Sequence, residues 1–350
     1  EPGWLFGHRL TLAGGIVIVC IIVTSISMAH RDETRDACML NPSTPELEEL
    51  FTEQIPAVVI EMSRHEMPLE NLPSYGPMYE GLCAIEHLCP GLKDAVLDLL
   101  ELGAHGRNRL HSVWRARDKL NRLLHEHGMP FFLRSRVRAG RGVAGRDLFY
   151  LLDYRVVECR VYGMQGRDSR YPVLHLVRVD PLNVVEQYVG ATAEEEAFVS
   201  ILLDRVEEFL RRRFMPVVES DDALGEASRL GVRALTGSPE ADCELSGAVG
   251  ELVTEGLTRH ELHHKWLGLE PEPPTPLWAW MSGYSEDAVS GVASEVGAYL
   301  GELGYSPAYA RIRIALMLDA MDDIRGHGGT HGLARLYLLV AKSNPPTRLL

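Results

Sequence analysis

The segment ELSGAVGELVTEGLTRHELHHKWLG, Glu244–Gly268, predicts one long helix with three histidines near its end. Apolar or small residues recur along it at steps of three or four, which is the spacing of one buried helical face. His260 and His264 continue that face, because residues four apart lie one above the other on a helix. Gly268 follows as a C-terminal cap. We therefore expect both imidazoles to point into the protein.

Within this helix, HELHH matches the pattern H-E-x-x-H, with His260, Glu261 and His264 at the fixed positions. Two imidazoles four residues apart can bind one metal ion. Glu261 is rotated by about 100° from His260, so it is placed to act on a water molecule rather than on the ion. His263 is expected on the surface. The competing interpretation is a histidine-rich helix that binds no metal.

A catalytic zinc site uses three protein ligands and leaves one position open. Glu295 is the favoured third ligand, because it lies among apolar residues in SEVGAYLGEL, where a buried carboxylate needs a partner. Glu286 is next, although its position suits the first turn of a helix. Tyr299 is predicted to be either a core residue or a hydrogen-bond donor to a developing oxyanion. The acids after His264 that could supply this ligand are Glu270, Glu286, Glu295 and Glu302.

These residues resemble the gluzincin branch of the zincin metallopeptidases, in which a glutamate on a following helix completes H-E-x-x-H. The resemblance covers residues 245–303 and implies a zincin-like pair of catalytic helices. It implies His260, His264 and Glu295 as ligands of Zn²⁺. It also implies Glu261 as the general base, and peptide or protein substrates bound along the edge strand of a sheet. The interval between His264 and Glu295 is longer than in the commonest gluzincins.

Two functions from different classes follow from these features. The first is a zinc-dependent metallopeptidase, a hydrolase that cleaves peptide bonds with zinc-activated water and Glu261 as base. The alternative is a catalytically inactive, membrane-anchored metal-binding or interaction domain. The formal net charge of −14 argues against a nucleic-acid partner, because phosphate binding requires positive charge.

The N-terminal segment LTLAGGIVIVCIIVTSISMA, Leu10–Ala29, contains no charged residue and is 20 residues long, enough for one membrane span. Residues 1–30 are therefore predicted to be a transmembrane signal-anchor, or a signal peptide cleaved after Ala29. Either case implies an extracytoplasmic domain, anchored or secreted. No CxxC pair is present, and Cys83 and Cys89 are candidates for a disulfide in an exported domain.

The rest of the chain divides into a linker at 31–43, a helical region at 44–128 and a region at 129–345, which the resemblance implies is a zincin-like metal-binding domain. Alternating apolar and polar residues predict an antiparallel sheet of three to five strands within 130–190. Helices are predicted for 192–342. This order of helices, sheet and helices is typical of an α+β protein.

Two helix starts have clear signals. STPELEEL, Ser43–Leu50, has a polar cap residue, an early proline and acids in the first turn. TAEEEAFVSILLDRVEEFLRRRF, Thr192–Phe214, has a threonine cap, three acids at the start and three arginines at the end, as the helix dipole favours.

Overall fold

The fold of the described residues combines helices with one mixed sheet of six strands, which confirms the predicted α+β class. The buried side chains of these residues form three hydrophobic clusters. The computed structural model describes residues 33–65, 67–104, 110–138, 148–164, 170–182, 190–191, 197–236, 245–267, 286–304, 309–310, 312–314 and 316.

Five α-helices of the described residues precede most of the sheet. The Thr44 hydroxyl accepts a hydrogen bond from the Leu47 amide at 3.3 Å, which confirms the predicted start at STPELEEL. The last helix of the group ends before Gly128, whose φ of +66° is a conformation that glycine adopts readily. The helices are α1 (Pro45–Glu49), α2 (Ile55–Arg64), α3 (Tyr75–Ile85), α4 (Leu92–Ala104) and α5 (Leu110–Glu126), with a π-helical turn at Leu50–Gln54.

The sheet is built around one strand of seventeen residues, β3. Strands β1 and β2 pair antiparallel with its two ends along one edge, and β4 pairs antiparallel along the other edge. Beyond β4, the strand β6 runs parallel to β4, and β5 runs antiparallel to β6. The strands are β1 (Glu33–Ala37), β2 (Phe131–Arg138), β3 (Leu148–Met164), β4 (Arg170–Arg178), β5 (Gly190–Ala191) and β6 (Val199–Leu202).

Two strands differ from the prediction. β1 lies in the stretch 31–43 that was predicted to be a linker, and it is held by pairing with a distant strand. β6 lies inside the predicted helix Thr192–Phe214. Of the described residues of that segment, those from Leu203 onward are helical, and Thr192 lies outside the described residues. All four residues of β6 are buried, so pairing with β4 in the core outweighs the local helical pattern. The predicted antiparallel sheet is therefore larger than expected and mixed.

The remaining helices of the described residues follow β6, and the longest of them is α9. That helix is buried on several faces and packs against β5, β6 and a second long helix, α10. The helices are α6 (Leu203–Phe209), α7 (Met215–Glu219), α8 (Ala223–Thr236), α9 (Leu245–Leu267) and α10 (Glu286–Gly304), with a π-helical turn at Leu210–Phe214.

One face of the sheet carries two of the hydrophobic clusters, one at each end. Phe149 and Leu151 of β3 pack with the helices α1 to α5. At the other end of the same strand, Tyr162 packs with Val173, Ile201 and the apolar side chains of α9. The sheet thereby fixes α9 beneath β5 and β6, where α9 can present side chains toward α10.

The predicted membrane span, Leu10–Ala29, lies outside the described residues. A search of the described helices finds none that is long and apolar enough to cross a bilayer. The described residues therefore do not bear out the predicted transmembrane helix.

The disulfide of the described residues joins Cys38 to Cys159, across 121 positions of the chain. The suggested pairing of Cys83 with Cys89 is therefore wrong. Both are free thiols, and Cys89 is buried while Cys83 is exposed. Nothing in the sequence indicated that Cys38 pairs with Cys159, because the two cysteines are brought together by the antiparallel pairing of β1 with β3.

Candidate metal centre

The two histidines of H-E-x-x-H lie on the same face of α9, as their spacing predicts. The Nε2 atom of His260 lies 3.2 Å from the Nε2 atom of His264. The His260 side chain is 8% exposed and that of His264 is 18% exposed. The two nitrogens therefore converge in a largely buried position, and the two histidines do not form a patch that faces solvent.

Glu295 reaches the same point from the facing helix, α10. Its two carboxylate oxygens lie 3.5 Å from Nε2 of His260 and 3.5 Å from Nε2 of His264. One donor atom from each of the three residues lies within 4.8 Å of the others, so the three form a group that could hold a metal ion. The predicted preference for Glu295 as the third member of the set agrees with this geometry.

The separations between these donors suit a tetrahedral ion. Zinc binds nitrogen and oxygen ligands at 2.0–2.2 Å, so two ligands of a tetrahedral site are about 3.3–3.5 Å apart. The distances observed between His260, His264 and Glu295 are 3.2–3.5 Å. Two imidazoles and one carboxylate are also a ligand set that zinc uses in catalytic sites.

Each histidine is oriented by a contact at its other ring nitrogen. Nδ1 of His260 lies 3.2 Å from Oε2 of Glu302, and Nδ1 of His264 lies 2.8 Å from Oγ of Ser294. With the proton on Nδ1 donated to these oxygens, Nε2 keeps its lone pair directed toward the shared point. This arrangement is the one expected of metal-binding histidines.

Glu302 is completely buried and is held by three groups. Besides His260, it accepts a hydrogen bond from the Tyr309 hydroxyl at 2.5 Å, and the Arg313 guanidinium lies 2.8 Å away. Burial raises the pKa of Glu302, but the charge of Arg313 and the contact with His260 outweigh burial and hold the pKa below its usual value. Glu302 is thus a carboxylate that orients His260.

The electrostatics of the pocket favour positive charge at the shared point. Burial disfavours protonation of His260, but hydrogen bonds with Glu295 and Glu302 outweigh it. Together with the negative charges of Glu302 and Glu261, they raise the pKa of His260 to about 10. A cation bound beside Nε2 would satisfy the same negative charges.

Glu261, the predicted general base, is half-buried and follows His260 on α9. Its charge acts on His260, which places the carboxylate in the electrostatic surroundings of the site. Tyr299 is 2% exposed, and its ring centre lies 4.7 Å from that of His260. Tyr299 therefore packs against a candidate ligand, in agreement with the prediction that it is a core residue.

His263 is not the surface residue that the sequence predicts. It is 3% exposed, and its Nδ1 lies 2.7 Å from the carbonyl oxygen of Arg259. Burial lowers the pKa of His263 to about 4. A Cβ atom on Gly301 of α10 would lie 2.2 Å from the His263 ring, so the glycine makes room for this ring between the two helices.

Gly256 shows the same relation on the opposite helix. A Cβ atom at this position of α9 would lie 2.2 Å from Cζ of Tyr309. Gly256 therefore allows Tyr309 to reach Glu302. Gly256 is therefore the site of a close packing contact between α9 and Tyr309.

Several residues of this site were missed or misassigned from the sequence. Glu302 was considered only as a metal ligand, whereas it orients His260. Ser294, Tyr309 and Arg313 were not identified, because nothing in their local pattern distinguishes them from other helical residues. Glu270 and the side chain of Glu286 lie outside the described residues.

Comparisons of the chain with protein-family models, with curated proteins and with solved structures found no match. The resemblance to gluzincins therefore rests on the residues of the site and on their arrangement.

Proposed function

We propose that this protein is a zinc-dependent metallopeptidase. The observation that carries the proposal is the convergence of His260, His264 and Glu295 at zinc-ligand separations. The contacts of Glu302 and Ser294 support it further, because an Nδ1 proton donated to them would leave Nε2 of each imidazole free to bind a metal.

Zinc at this point would act as a Lewis acid on a peptide carbonyl and would activate a water molecule. Glu261 would take the proton of that water. It would then deliver the proton to the leaving amine, so one carboxylate serves as base and then as acid. Glu302 is not available for this role, because it is fully buried and already paired with Arg313.

The sheet offers a place for an extended substrate. β5 is the last strand in the sheet order and lies next to α9. An extended peptide can bind by adding a strand to the edge of a sheet, where main-chain hydrogen bonds hold it irrespective of sequence. A peptide added beside β5 would run close to the helix that carries His260 and Glu261.

The metal part of the proposal is tested by metal content. The purified full chain is expected to retain close to one equivalent of Zn²⁺ when zinc is supplied without chelators. A variant with His260→Ala and His264→Ala is expected to retain none at this site. Equal metal content in the two proteins would contradict the assignment of these ligands.

The catalytic part is tested separately with a library of internally quenched peptides. Wild-type protein is expected to cleave members of the library, to lose activity with a chelator and to regain it with Zn²⁺. Glu261→Gln is expected to keep the metal and lose cleavage, whereas Glu251→Gln, an exposed position on the same helix, should keep both. Zinc binding with no cleavage by the wild type would favour the alternative, a metal-binding domain without turnover.

A further inference from the structure

A second cluster of metal-binding side chains lies far along the chain from the first. It consists of Cys38, which follows β1, His125 in the last turn of α5, and Cys159 on β3. One donor atom from each residue lies within 4.8 Å of the others. In the structure, the two sulfur atoms are joined as a disulfide.

The parts of the chain that carry these donors are held together by contacts other than the disulfide. The Cys38 amide donates to the Cys159 carbonyl at 3.0 Å, as a continuation of the β1–β3 pairing. Asn41 ties the same segment to the end of α5. Its amide donates to the Gly128 carbonyl at 2.7 Å, and its side chain donates to the His127 carbonyl at 2.8 Å.

The histidine of the cluster is also fixed in place. The ring of His125 packs edge-on against Phe198, with 5.1 Å between ring centres. Cys159 is 3% exposed, whereas Cys38 and His125 are half-buried. A hollow beside the disulfide gives access to it, and it is lined by Ala37, Cys38, Leu40, Val157, Glu158, Cys159 and Arg160.

We propose that Cys38, His125 and Cys159 form a second transition-metal site when the disulfide is reduced, with Zn²⁺ as the ion that the donors suit best. Two thiolates and one imidazole are a known zinc ligand set that leaves one position for water. Soft thiolate ligands select zinc over magnesium and calcium. Because these hydrogen bonds do not involve the sulfur atoms, we expect reduction to leave the three donors close together.

The reduced and oxidised forms are related by a balanced exchange. A dithiol supplies two electrons and two protons, the Cys38–Cys159 bond breaks to give two thiols, and the dithiol becomes a disulfide. Binding of the ion then releases the two thiol protons to solvent. The disulfide and the metal therefore exclude each other at this position.

Cobalt tests the proposal, because Co²⁺ bound by thiolates has an intense ligand-to-metal charge-transfer absorption. Co²⁺ held by His260, His264 and Glu295 has no sulfur ligand and lacks this band, so the two sites are distinguishable in one protein. The full chain is titrated with Co²⁺ twice, once oxidised and once after reduction by a dithiol that is then removed. The charge-transfer band is expected only in the reduced protein, together with one additional equivalent of bound cobalt.

Variants identify the donors. The band is expected to disappear in reduced Cys38→Ser, to need at least tenfold more cobalt in His125→Ala, and to remain in a variant with Cys83→Ser and Cys89→Ser. The oxidised wild type is a control with the same sequence and fold. Absence of the band from reduced wild type would overturn the proposal, and so would an unchanged band in Cys38→Ser.

Discussion

Nδ1 of His260 lies 3.2 Å from Oε2 of Glu302, and this contact joins the candidate metal centre to the core of the protein. Glu302 is in turn held by Tyr309 and Arg313. The Glu302 carboxylate therefore has two roles in the protein. It fixes the tautomer and direction of one candidate ligand, and it neutralises a buried arginine.

Glu302→Gln is expected to weaken zinc binding by about 10- to 100-fold, because partners that orient a ligating histidine typically contribute this much to affinity. Competition with a chelator of known affinity measures the effect. Glu251→Gln on α9 is the matched control, since Glu251 is exposed. Equal zinc affinity in Glu302→Gln and the wild type would show that the contact with His260 does not tune the site.

Glu302→Ala is expected to lower the free energy of unfolding by about 3–5 kcal/mol, because it leaves the buried Arg313 without its carboxylate. Urea unfolding of the metal-free protein measures this loss without a contribution from zinc. A loss within experimental error would mean that Arg313 finds another partner or reaches water in the variant.

Gly256→Ala is expected to lower the free energy of unfolding by about 1–3 kcal/mol, because the new methyl group would overlap the ring of Tyr309. Gly247→Ala lies on the same helix and meets no atom within 4 Å. It is expected to raise stability by about 0.5–1 kcal/mol, which is the usual gain from replacing a helical glycine. Thermal or urea unfolding of the pair should therefore give shifts of opposite sign.

Asp153 lies outside the candidate metal centre and is expected to make the free energy of unfolding depend on pH. It is fully buried on β3, and neither carboxylate oxygen accepts a hydrogen bond from the described residues. Burial, together with the nearby charge of Asp180, holds the pKa of Asp153 well above its usual value despite Arg178. The folded protein thus binds a proton that the unfolded chain has already lost, and stability falls as pH rises above about 4.

Asp153→Asn is expected to remove this dependence and to be more stable than the wild type by about 1–3 kcal/mol at pH 8. Near pH 4 the difference should be small, since the wild-type carboxyl is then protonated in the folded protein. Urea unfolding at the two pH values tests the prediction. Asp98→Asn is an exposed control that should change little at either pH. A wild type more stable at pH 8 than the variant would contradict it.

Cys38→Ser is expected to lower the free energy of unfolding by about 2–5 kcal/mol, because the disulfide with Cys159 closes a long loop in the unfolded chain. Unfolding without a reducing agent measures the loss. Cys83→Ser, at an exposed free thiol, should leave stability unchanged. If both variants unfold like the wild type, the Cys38–Cys159 bond is absent from the protein in solution.

The local part of the candidate site could be predicted from the sequence, because helical spacing alone brings His260 and His264 to one face. Glu295 was identified by a different argument, namely that a carboxylate among apolar residues requires a partner. The burial of His263 had no such indication. It depends on the absence of a side chain at Gly301 on another helix, which no local pattern records.

The strands of the sheet, too, could be predicted only in part from the sequence. The strands β2 to β4 alternate apolar and polar residues and pair with sequence neighbours, so they were predicted. β6 is a short stretch of apolar residues, and periodicity cannot distinguish such a stretch from a helix. Its conformation is set by parallel pairing with β4, and β1 is likewise set by pairing with the far end of β3.

The residues of the candidate metal centre lie partly on α9 and partly on helical residues that follow α9 in the chain. They therefore become available one after another during synthesis. His260 and His264 leave the ribosome before Glu295, and Glu302 and Arg313 follow later still. A nascent chain that has exposed only α9 has two ligands, without the third donor and without the carboxylate that orients the first. Any imidazole-binding ion could occupy that incomplete pair, so selective loading of a metal at this centre would have to follow the docking of α10.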